Sequence, residues 1–388
     1  MTFTRAAQTV LILDDDVSVT EGLSVELKRP GRDIVTCNDL ESAELALEWM
    51  TPTHVVAGAH ITGEFGYEGL DLIRLTRRTR PATTSILMTR DGSDALAQEA
   101  RARGAVAVLR KPFATEELEV ILNQTASAPP SGEGEGRVIR IPLFESLLLG
   151  CDLQTTFAPV MRFGDAWTPV AYEAVTRLRT DSPLAEPDLL YEYADRKHLV
   201  VELENLRVES ILQAAGPLLE RALLFMSVHS ALFADARSLS DFFIHNYAER
   251  DLPVDRIIVE VAEREAFKIG EDVFDDVDRL HELGMRFAIA NLGVGYAHFP
   301  HISRFRPSFL KVSPELGTGL AEDLAKLRIV ANLVSLARDF KCDVILEGVD
   351  SQASADAAAK LGIRYVQGSL FGEPLPPSAF ARSASPQA

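Results

Sequence analysis

The hydrophobic positions of the chain form short apolar runs that alternate with longer segments of helical period. In the N-terminal third, strands are predicted near residues 9–13, 34–36, 54–57, 85–88 and 105–109. Helices are predicted near 41–49, 70–77, 93–103 and 115–123, and a further helical period runs through Leu23 and Leu27. Five strand–helix units at this spacing predict a doubly wound, five-stranded parallel sheet with helices on both faces, over residues 1–124.

The pattern stops at residues 125–137, where Pro, Gly, Ser and Glu replace any apolar period. This composition is typical of a flexible, solvated linker, so we predict a domain boundary there. Strand candidates then follow at 156–162, 170–177, 223–227, 256–260, 287–290, 309–312, 343–347 and 365–367. Helices are predicted at 187–196, 200–215, 240–248, 272–283, 321–340 and 353–361. About eight strands at this spacing predict a TIM-type α/β barrel over residues 138–388, ending in a short C-terminal tail.

The composition narrows the classes of partner. The net charge of −18 argues against a nucleic-acid-binding or anionic-membrane surface. Cys37, Cys151 and Cys342 are widely separated and have no metal or redox spacing. No apolar run approaches the ~18 residues of a membrane span, and the N-terminus has no signal-peptide pattern. We therefore expect a cytoplasmic protein.

Polar residues follow three of the predicted strands in the first domain. Asp14 and Asp15 follow the first strand, Thr89 ends the fourth, and Lys111 follows the fifth. Such sheets carry their sites beyond the carboxyl ends of the strands. Carboxylates placed there would hold a hard divalent cation, and the hydroxyl and ammonium groups could contact a phosphoryl group.

This combination resembles the response-regulator receiver family over residues 8–124. The matching motifs are Leu11-Ile12-Leu13-Asp14-Asp15, Met88-Thr89 and Lys111-Pro112-Phe113. The resemblance implies a cis Lys–Pro peptide bond.

The family's phosphate-accepting aspartate ends the third strand, and that position falls on Ala59, whose methyl group cannot form an acyl phosphate. A rival alignment brings Glu64 near the pocket, from a glycine-flanked loop. We expect no phosphorylation, and interpret Asp14, Asp15 and Lys111 as an ion-pair cluster.

Charged residues also recur at strand ends in the second domain, at Glu173, Glu260, Lys311 and Glu347. Four such residues at one rim indicate a hard-metal or phosphate site. They resemble the EAL family, the cyclic di-GMP phosphodiesterase domain, over about residues 140–376. The matching motifs are Glu173-Ala174-Val175-Thr176-Arg177, Glu260-Val261-Ala262-Glu263, Phe309-Leu310-Lys311, Leu346-Glu347-Gly348-Val349-Asp350 and Val366-Gln367-Gly368.

The resemblance implies a role for each matching residue. Phosphodiester cleavage in the family uses two metal ions held by a cluster of carboxylates. The implied metal ligands are Glu173, Glu260 and Glu347, together with Asn291 at a position where the family has aspartate. Lys311 would assist the attacking water beside Gln367, Glu263 would brace the glycine loop that follows Asn291, and Arg177 and Gln367 are candidate nucleotide contacts.

The departures from the family are equally specific. Its Asp-Asp pair becomes Ala290-Asn291, its metal-binding Asn becomes His229, and its substrate-binding Gln becomes Ala158. Losing an outer hydrogen-bonding partner of a metal ligand alone costs roughly 10–100-fold in affinity, so losing two directly bound anions should cost more. His229 is either a zinc ligand with Glu260 and Glu173 or a hydrogen-bonded rim residue. Lys311 is either catalytic or part of a structural salt bridge with Glu347 or Glu260.

Two hypotheses follow. In the first, the chain is a non-enzymatic signalling protein without a cofactor, whose barrel binds a protein partner; cyclic di-GMP binding without hydrolysis is a subsidiary form. In the second, it is a weak cyclic di-GMP phosphodiesterase that depends on Mg²⁺ or Mn²⁺ and uses Glu173, Glu260, Glu347, Asn291 and His229. The resemblance implies a homodimer under either hypothesis.

Overall fold

The computed structural model describes residues 8–61, 66–125, 135–164, 166–233, 241–243, 253–263, 273–293 and 299–381. These residues belong to two units, one formed by Met1–Asp152 with Leu178–Leu199 and the other by Leu153–Arg177 with Val200–Ala388. The sequence predicts one boundary within 125–137. The structure instead divides the chain at three points, after residues 152, 177 and 199.

The first unit contains the expected parallel sheet with flanking helices. Its elements are β1 (Gln8–Leu13), α1 (Val17–Leu27), β2 (Arg32–Cys37), α2 (Leu40–Trp49), β3 (His54–Gly58), α3 (Glu68–Thr79), β4 (Thr84–Thr89), α4 (Asp94–Arg103), β5 (Ala105–Arg110), α5 (Thr115–Thr125), β6 (Val138–Arg140), α6 (Phe144–Leu149) and α7 (Pro187–Arg196). The strand order is β5-β4-β3-β1-β2-β6. Alternate residues of the central strands, such as Val10 and Ile12, are fully buried on one face.

A sixth strand corrects the prediction of a five-stranded sheet. β6 pairs in parallel with β2, with Val138 opposite Ile34. Arg137, directly before β6, adds side-chain contacts to this strand pair. Its backbone N–H and its guanidinium both donate to the carboxylate of Asp33, at 2.9 and 2.8 Å. An unpaired strand edge leaves donors and acceptors open, and β6 satisfies those of β2. Residues 138–140, expected to begin the barrel, thus belong to the first sheet.

The second unit is a closed barrel, as expected. Its elements are β7 (Leu153–Arg162), β8 (Thr168–Leu178), α8 (Val200–Leu219), β9 (Leu223–Ser227), β10 (Ile257–Ala262), α9 (Phe274–Glu282), β11 (Arg286–Leu292), α10 (Phe299–Phe305), β12 (Phe309–Val312), α11 (Pro314–Gly317), α12 (Leu324–Phe340), β13 (Asp343–Leu346), α13 (Gln352–Lys360), β14 (Tyr365–Val366) and α14 (Ser378–Ala381). The strand order is β10-β11-β12-β13-β14-β7-β8-β9, and β7 runs antiparallel to β14. Most of the predicted helix 240–248 and the tail 382–388 lie outside the described residues.

A layer of apolar side chains fills the inside of the barrel. Every strand contributes one residue to it, namely Val160, Ala171, Phe225, Ile258, Ala288, Phe309, Ile345 and Tyr365. Side chains two residues apart along a strand lie on the same face. The residues of the next layer, towards the carboxyl ends of the parallel strands, can therefore be counted from this apolar layer. That next layer forms the floor of the barrel mouth.

Within the part of the chain that the structure describes, no helix combines the length and apolar character needed to cross a membrane.

Candidate functional site

The layer above the apolar one holds most of the residues that the sequence singles out in the barrel. Counting two positions from each apolar residue gives Ala158, Glu173, Ser227, Glu260, Ala290, Lys311, Glu347 and Gln367. For the antiparallel strand β7 the count runs backwards along the chain, from Val160 to Ala158. The eight residues thus comprise three carboxylates, one ammonium, one amide, one hydroxyl and two methyl groups.

Lys311 lies at the centre of this layer, fully buried. Its Nζ is 2.6 Å from Glu260 Oε1, 2.9 Å from Glu173 Oε2 and 2.9 Å from Glu347 Oε1. The ring of Phe225 lies beneath it, with 5.5 Å between Nζ and the ring centroid. Of the two expected salt-bridge partners, Glu347 and Glu260, the structure shows both and adds Glu173. One ammonium group therefore occupies the point on which three carboxylates converge.

Burial and this single cation set the protonation of the cluster. Burial, reinforced by the charges of Glu173 and Glu347, raises the pKa of Glu260 to about 8 despite Lys311. Burial also raises the pKa of Glu347. Burial pushes the pKa of Glu173 upward as well, but Lys311 and hydrogen bonds outweigh it, and the net shift is downward. The three carboxylates keep the pKa of Lys311 raised against burial, so its ammonium stays charged between them.

Ala290 and Asn291, which stand where the family has two aspartates, lie in a local irregularity of β11. The register between β11 and β12 shifts between Ile289 and Leu292, which places Ala290 and Asn291 in a bulge. Asn291 has a left-handed backbone with φ of 59° and its side chain is exposed. Neither residue brings a negative charge to the rim.

Glu263 and Gly293 meet at the start of the glycine loop. Glu263 Oε2 accepts a hydrogen bond from the backbone N–H of Gly293 at 3.2 Å. Gly293 has φ of 102°, and a Cβ there would lie 2.7 Å from Leu316 Cδ1, so only glycine suits the position. The bracing role of Glu263 stays a prediction, since most of the loop beyond residue 293 lies outside the described residues.

His229 contacts a buried ion pair that the sequence reading missed. Its backbone N–H donates to Glu204 Oε2 at 3.1 Å, and its Nδ1 accepts from the Ala231 N–H at 3.2 Å. Glu204 is fully buried and binds Arg207 through both carboxylate oxygens, at 2.7 and 2.8 Å. The sequence contains one signal for this ion pair. Glu204 and Arg207 are three residues apart, on the face of α8 that also carries Leu203 and Val208.

The two candidate nucleotide contacts lie on the same side of the mouth. Arg177 is exposed and lies on the face of β8 that carries Glu173, four residues nearer the strand's end. Gln367 Nε2 donates to Glu173 Oε2 at 2.7 Å, which fixes the amide beside the cluster. Ala158 brings only a methyl group to the layer.

In the first unit, the ends of β1 and β5 bring Asp14 and Lys111 together in an ion pair. Asp14 is fully buried, and burial raises the pKa of its carboxyl group even though Lys111 opposes the shift. The Lys111–Pro112 peptide bond is cis, as expected. Asp15 is exposed and lies outside this pair.

Two neighbouring strands complete the edge. Ala59 follows β3 directly, buried, with its N–H bonded to Met88 O at 2.8 Å. Thr89 ends β4 and its hydroxyl accepts from the Asp91 N–H at 3.0 Å. The alternative residue Glu64 lies outside the described residues.

A model of the EAL domain family matches residues 144–374, and a model of the response regulator receiver domain matches residues 10–123. The chain belongs to the EAL family. Its EAL domain is 25% identical over 206 residues to the probable cyclic di-GMP phosphodiesterase PdeA of Escherichia coli, an alignment covering 53% of this chain and 28% of PdeA. Against the cyclic di-GMP phosphodiesterase PdeL of the same species, identity is 29% over 125 residues, covering 32% of this chain and 34% of PdeL. The chain thus spans about a third of the length of these relatives.

A solved structure shows the same fold. The EAL domain of FimX from Pseudomonas aeruginosa, bound to cyclic di-GMP, superposes with a TM-score of 0.52 at 20% identity, over 60% of this chain and 94% of that one.

EAL domains generally use Mg²⁺ or Mn²⁺ when they are active. The oxygens of Glu173, Glu260 and Glu347 converge on an ammonium group, and Ala290 offers no donor atom. In the described ranges, no three His, Cys, Asp or Glu side chains are grouped so that they could hold a metal ion. The three carboxylates thus face one ammonium group, and Ala290 and Asn291 add no negative charge to them.

Proposed function

We propose that this chain is a non-catalytic protein of cyclic di-GMP signalling that acts by binding a protein partner through its EAL barrel. The observation that carries the proposal is the uncharged pair Ala290-Asn291 at the rim, which leaves three carboxylates, already facing the buried Lys311 ammonium, as the anions of the layer. Both units keep their fold and an ion pair at the strand ends, and both have a methyl group where the family has a reactive carboxylate, at Ala59 and Ala290.

The chemistry of the reaction supports this proposal. Two-metal hydrolysis needs enough anionic ligands to hold two dications a few ångströms apart. Here the carboxylates already face a cation, and burial raises the pKa of Glu260, which disfavours its anionic form. With Ala290 and Asn291 uncharged, three carboxylates would have to balance the Lys311 ammonium and two dications together.

Cyclic di-GMP binding without hydrolysis is the second candidate. Arg177 favours it, because an exposed guanidinium on the rim can bind a phosphate through two parallel hydrogen bonds. Gln367 offers a fixed amide beside it. Ala158 counts against it, because the family's substrate-binding glutamine is missing there.

Incubation of the full chain with cyclic di-GMP and Mg²⁺ or Mn²⁺ tests the non-catalytic part. We expect no linear pGpG above the level produced without protein. Accumulation of pGpG that disappears in Glu173→Ala would establish the competing hypothesis of a weak phosphodiesterase.

Calorimetry with cyclic di-GMP then separates the two binding modes. Micromolar affinity that falls about tenfold in Arg177→Met, with Arg179→Met as the exposed control, would establish a nucleotide sensor. No heat of binding, together with a stoichiometric protein retained from extract of the source cells, is the result expected for partner binding. Light scattering tests the expected homodimer.

A further inference from the structure

Helix α7 lies in the first unit although it follows the barrel strand β8 in sequence. Residues Leu178–Leu199 are grouped with the receiver fold, between two segments that belong to the barrel. The chain leaves the barrel directly after Arg177 and returns to it at Val200. Whatever holds α7 therefore holds the segment that connects a strand of the barrel mouth to α8.

Asp39 is the centre of the contacts that hold α7. It is buried, and its carboxylate accepts from the Tyr193 hydroxyl at 2.9 Å and pairs with Lys197 Nζ at 2.8 Å. Tyr193 is itself fully buried and packs edge-on against Phe144 of α6, with 5.0 Å between ring centroids. The buried Asp39 carboxylate thus binds the Tyr193 hydroxyl of α7 and the ammonium of Lys197, the C-cap of α7. Removing one partner of such a buried pairing is costly.

The same carboxylate also starts α2. Asp39 Oδ1 accepts from the Ser42 N–H at 2.9 Å, so the residue is the N-cap of that helix. One turn further along, Arg196 of α7 binds Glu44 and Glu48 of α2, at 3.1 and 2.7 Å. The contact between the two helices therefore has a buried end at Asp39 and a partly exposed end at Arg196.

Asn38, next to Asp39 in sequence, connects the contact between α2 and α7 to the Asp14–Lys111 pair. Asn38 Nδ2 donates to the backbone carbonyl of Asp14 at 2.8 Å and to the Thr20 hydroxyl at 3.2 Å. Asn38 and Asp39 are adjacent, so the turn that supports the Asp14–Lys111 pair also presents the carboxylate that binds α7.

We propose that Asp39 is the latch by which the receiver fold holds α7, so that the receiver acts as a fixed clamp on the segment between β8 and α8. This clamp needs no phosphoryl group, which matches a pocket that has Ala59 in place of the acceptor. It is independent of the proposed function, because it concerns contacts within the first unit alone.

Hydrogen exchange of the full chain, read by mass spectrometry over residues 187–197, tests the latch. The decisive variant is Asp39→Ser, because serine can still cap α2 but is too short and uncharged to bind Tyr193 and Lys197. We expect exchange of the α7 amides to accelerate about 10- to 100-fold, with β1, β2 and α2 still protected. The control Asp71→Asn, which breaks exposed ion pairs with Arg74 and Arg103, should leave α7 unchanged.

A second variant covers the case in which Asp39→Ser also loosens the receiver. Lys197→Met removes the partner from the α7 side without touching the sheet, and α7 should again exchange faster. In the double variant the effect of Lys197→Met should shrink, because Asp39 at 2.8 Å is already gone, while Glu41 and Glu145 at 3.4 and 3.8 Å remain. Unchanged exchange over α7 in both single variants, or fully additive effects in the double variant, would overturn the proposal.

Discussion

Replacing Lys311 with methionine tests whether the ammonium holds the barrel rim together. Methionine approximates the length of the lysine side chain but leaves Glu173, Glu260 and Glu347 without the cation that lies 2.6–2.9 Å from each. Breaking a buried ion pair from one side typically costs about 3–5 kcal/mol. Here one substitution leaves three carboxyl groups together, so we expect a loss in that range at pH 8, with the carboxyl groups responding by taking up protons.

The expected loss depends on pH in a defined direction. Without Lys311 the pKa of every carboxyl group in the cluster rises, including that of Glu173, which Lys311 now helps to hold below its unfolded value. The folded barrel of the variant therefore binds more protons than the unfolded chain above about pH 4.5. Stability of the variant therefore falls as pH rises. At pH 5 the protonated cluster should leave a penalty of only about 1–2 kcal/mol.

The two tryptophans allow the barrel to be followed by itself. Trp49 lies in α2 of the first unit, and Trp167 lies in the barrel unit, 4.8 Å from Phe163 and 5.6 Å from Phe371 between ring centroids. A chain of two units need not unfold in a single two-state transition, so the barrel must be observed by itself. In a Trp49→Phe background, the fluorescence of Trp167 during urea unfolding reports the transition of the barrel.

Lys326→Met is the matched control, because the Lys326 ammonium donates to the backbone carbonyl of Thr318 on the surface of the same unit. We expect it to change stability by less than about 0.5 kcal/mol. If Lys311→Met costs less than about 1 kcal/mol at pH 8 and shows no added pH dependence, Lys311 does not hold the cluster and the reasoning fails.

Three further predictions concern the ionisable and missing groups. The pKa of Glu260 is raised to about 8, so its proton stabilises the fold fully below about pH 4.5. This stabilisation is lost as pH rises towards 8, by up to about 1.4 kcal/mol per pH unit. Glu260→Gln should therefore flatten the dependence of the free energy of unfolding on pH, measured by urea titration. The double variant Ala290→Asp with Asn291→Asp should gain at least about tenfold in Mn²⁺ affinity by calorimetry, and no gain would show that the loss at the rim lies elsewhere. Acetyl phosphate with Mg²⁺ should not label the wild-type receiver on phosphate-affinity gels, whereas Ala59→Asp should become labelled; a labelled wild type would show that another residue accepts phosphate.

The periodicity of the sequence predicts the elements well where contacts are local. The alternation through Leu11 and Leu13 identifies a buried parallel strand, and the acids and Lys311 at strand ends identify the rim of the barrel. The register of a barrel then brings these residues into one layer, since each lies two positions beyond an apolar residue. The sequence offers two salt-bridge partners for Lys311 but not the third, because Glu173 lies on a distant strand.

Two of the missed features depend on pairings far apart in sequence. Strand β6 has three residues, too few for a periodic signal, and it forms because β2 offers an open edge and Asp33 binds Arg137. The contact of Asp39 with Tyr193 joins residues 154 positions apart. Composition marks residues 125–137 as lacking an apolar period, but it cannot show that residues 138–140 pair with β2 of the first sheet.

The most direct measurement for the central claim is the Mn²⁺ stoichiometry of the full chain in the presence of cyclic di-GMP, by calorimetry and electron paramagnetic resonance. We predict no pair of coupled Mn²⁺ ions, because Ala290 and Asn291 leave too few anionic ligands at the rim to hold two dications beside Lys311. Two spin-coupled Mn²⁺ ions per chain, lost in Glu260→Gln, would contradict the account.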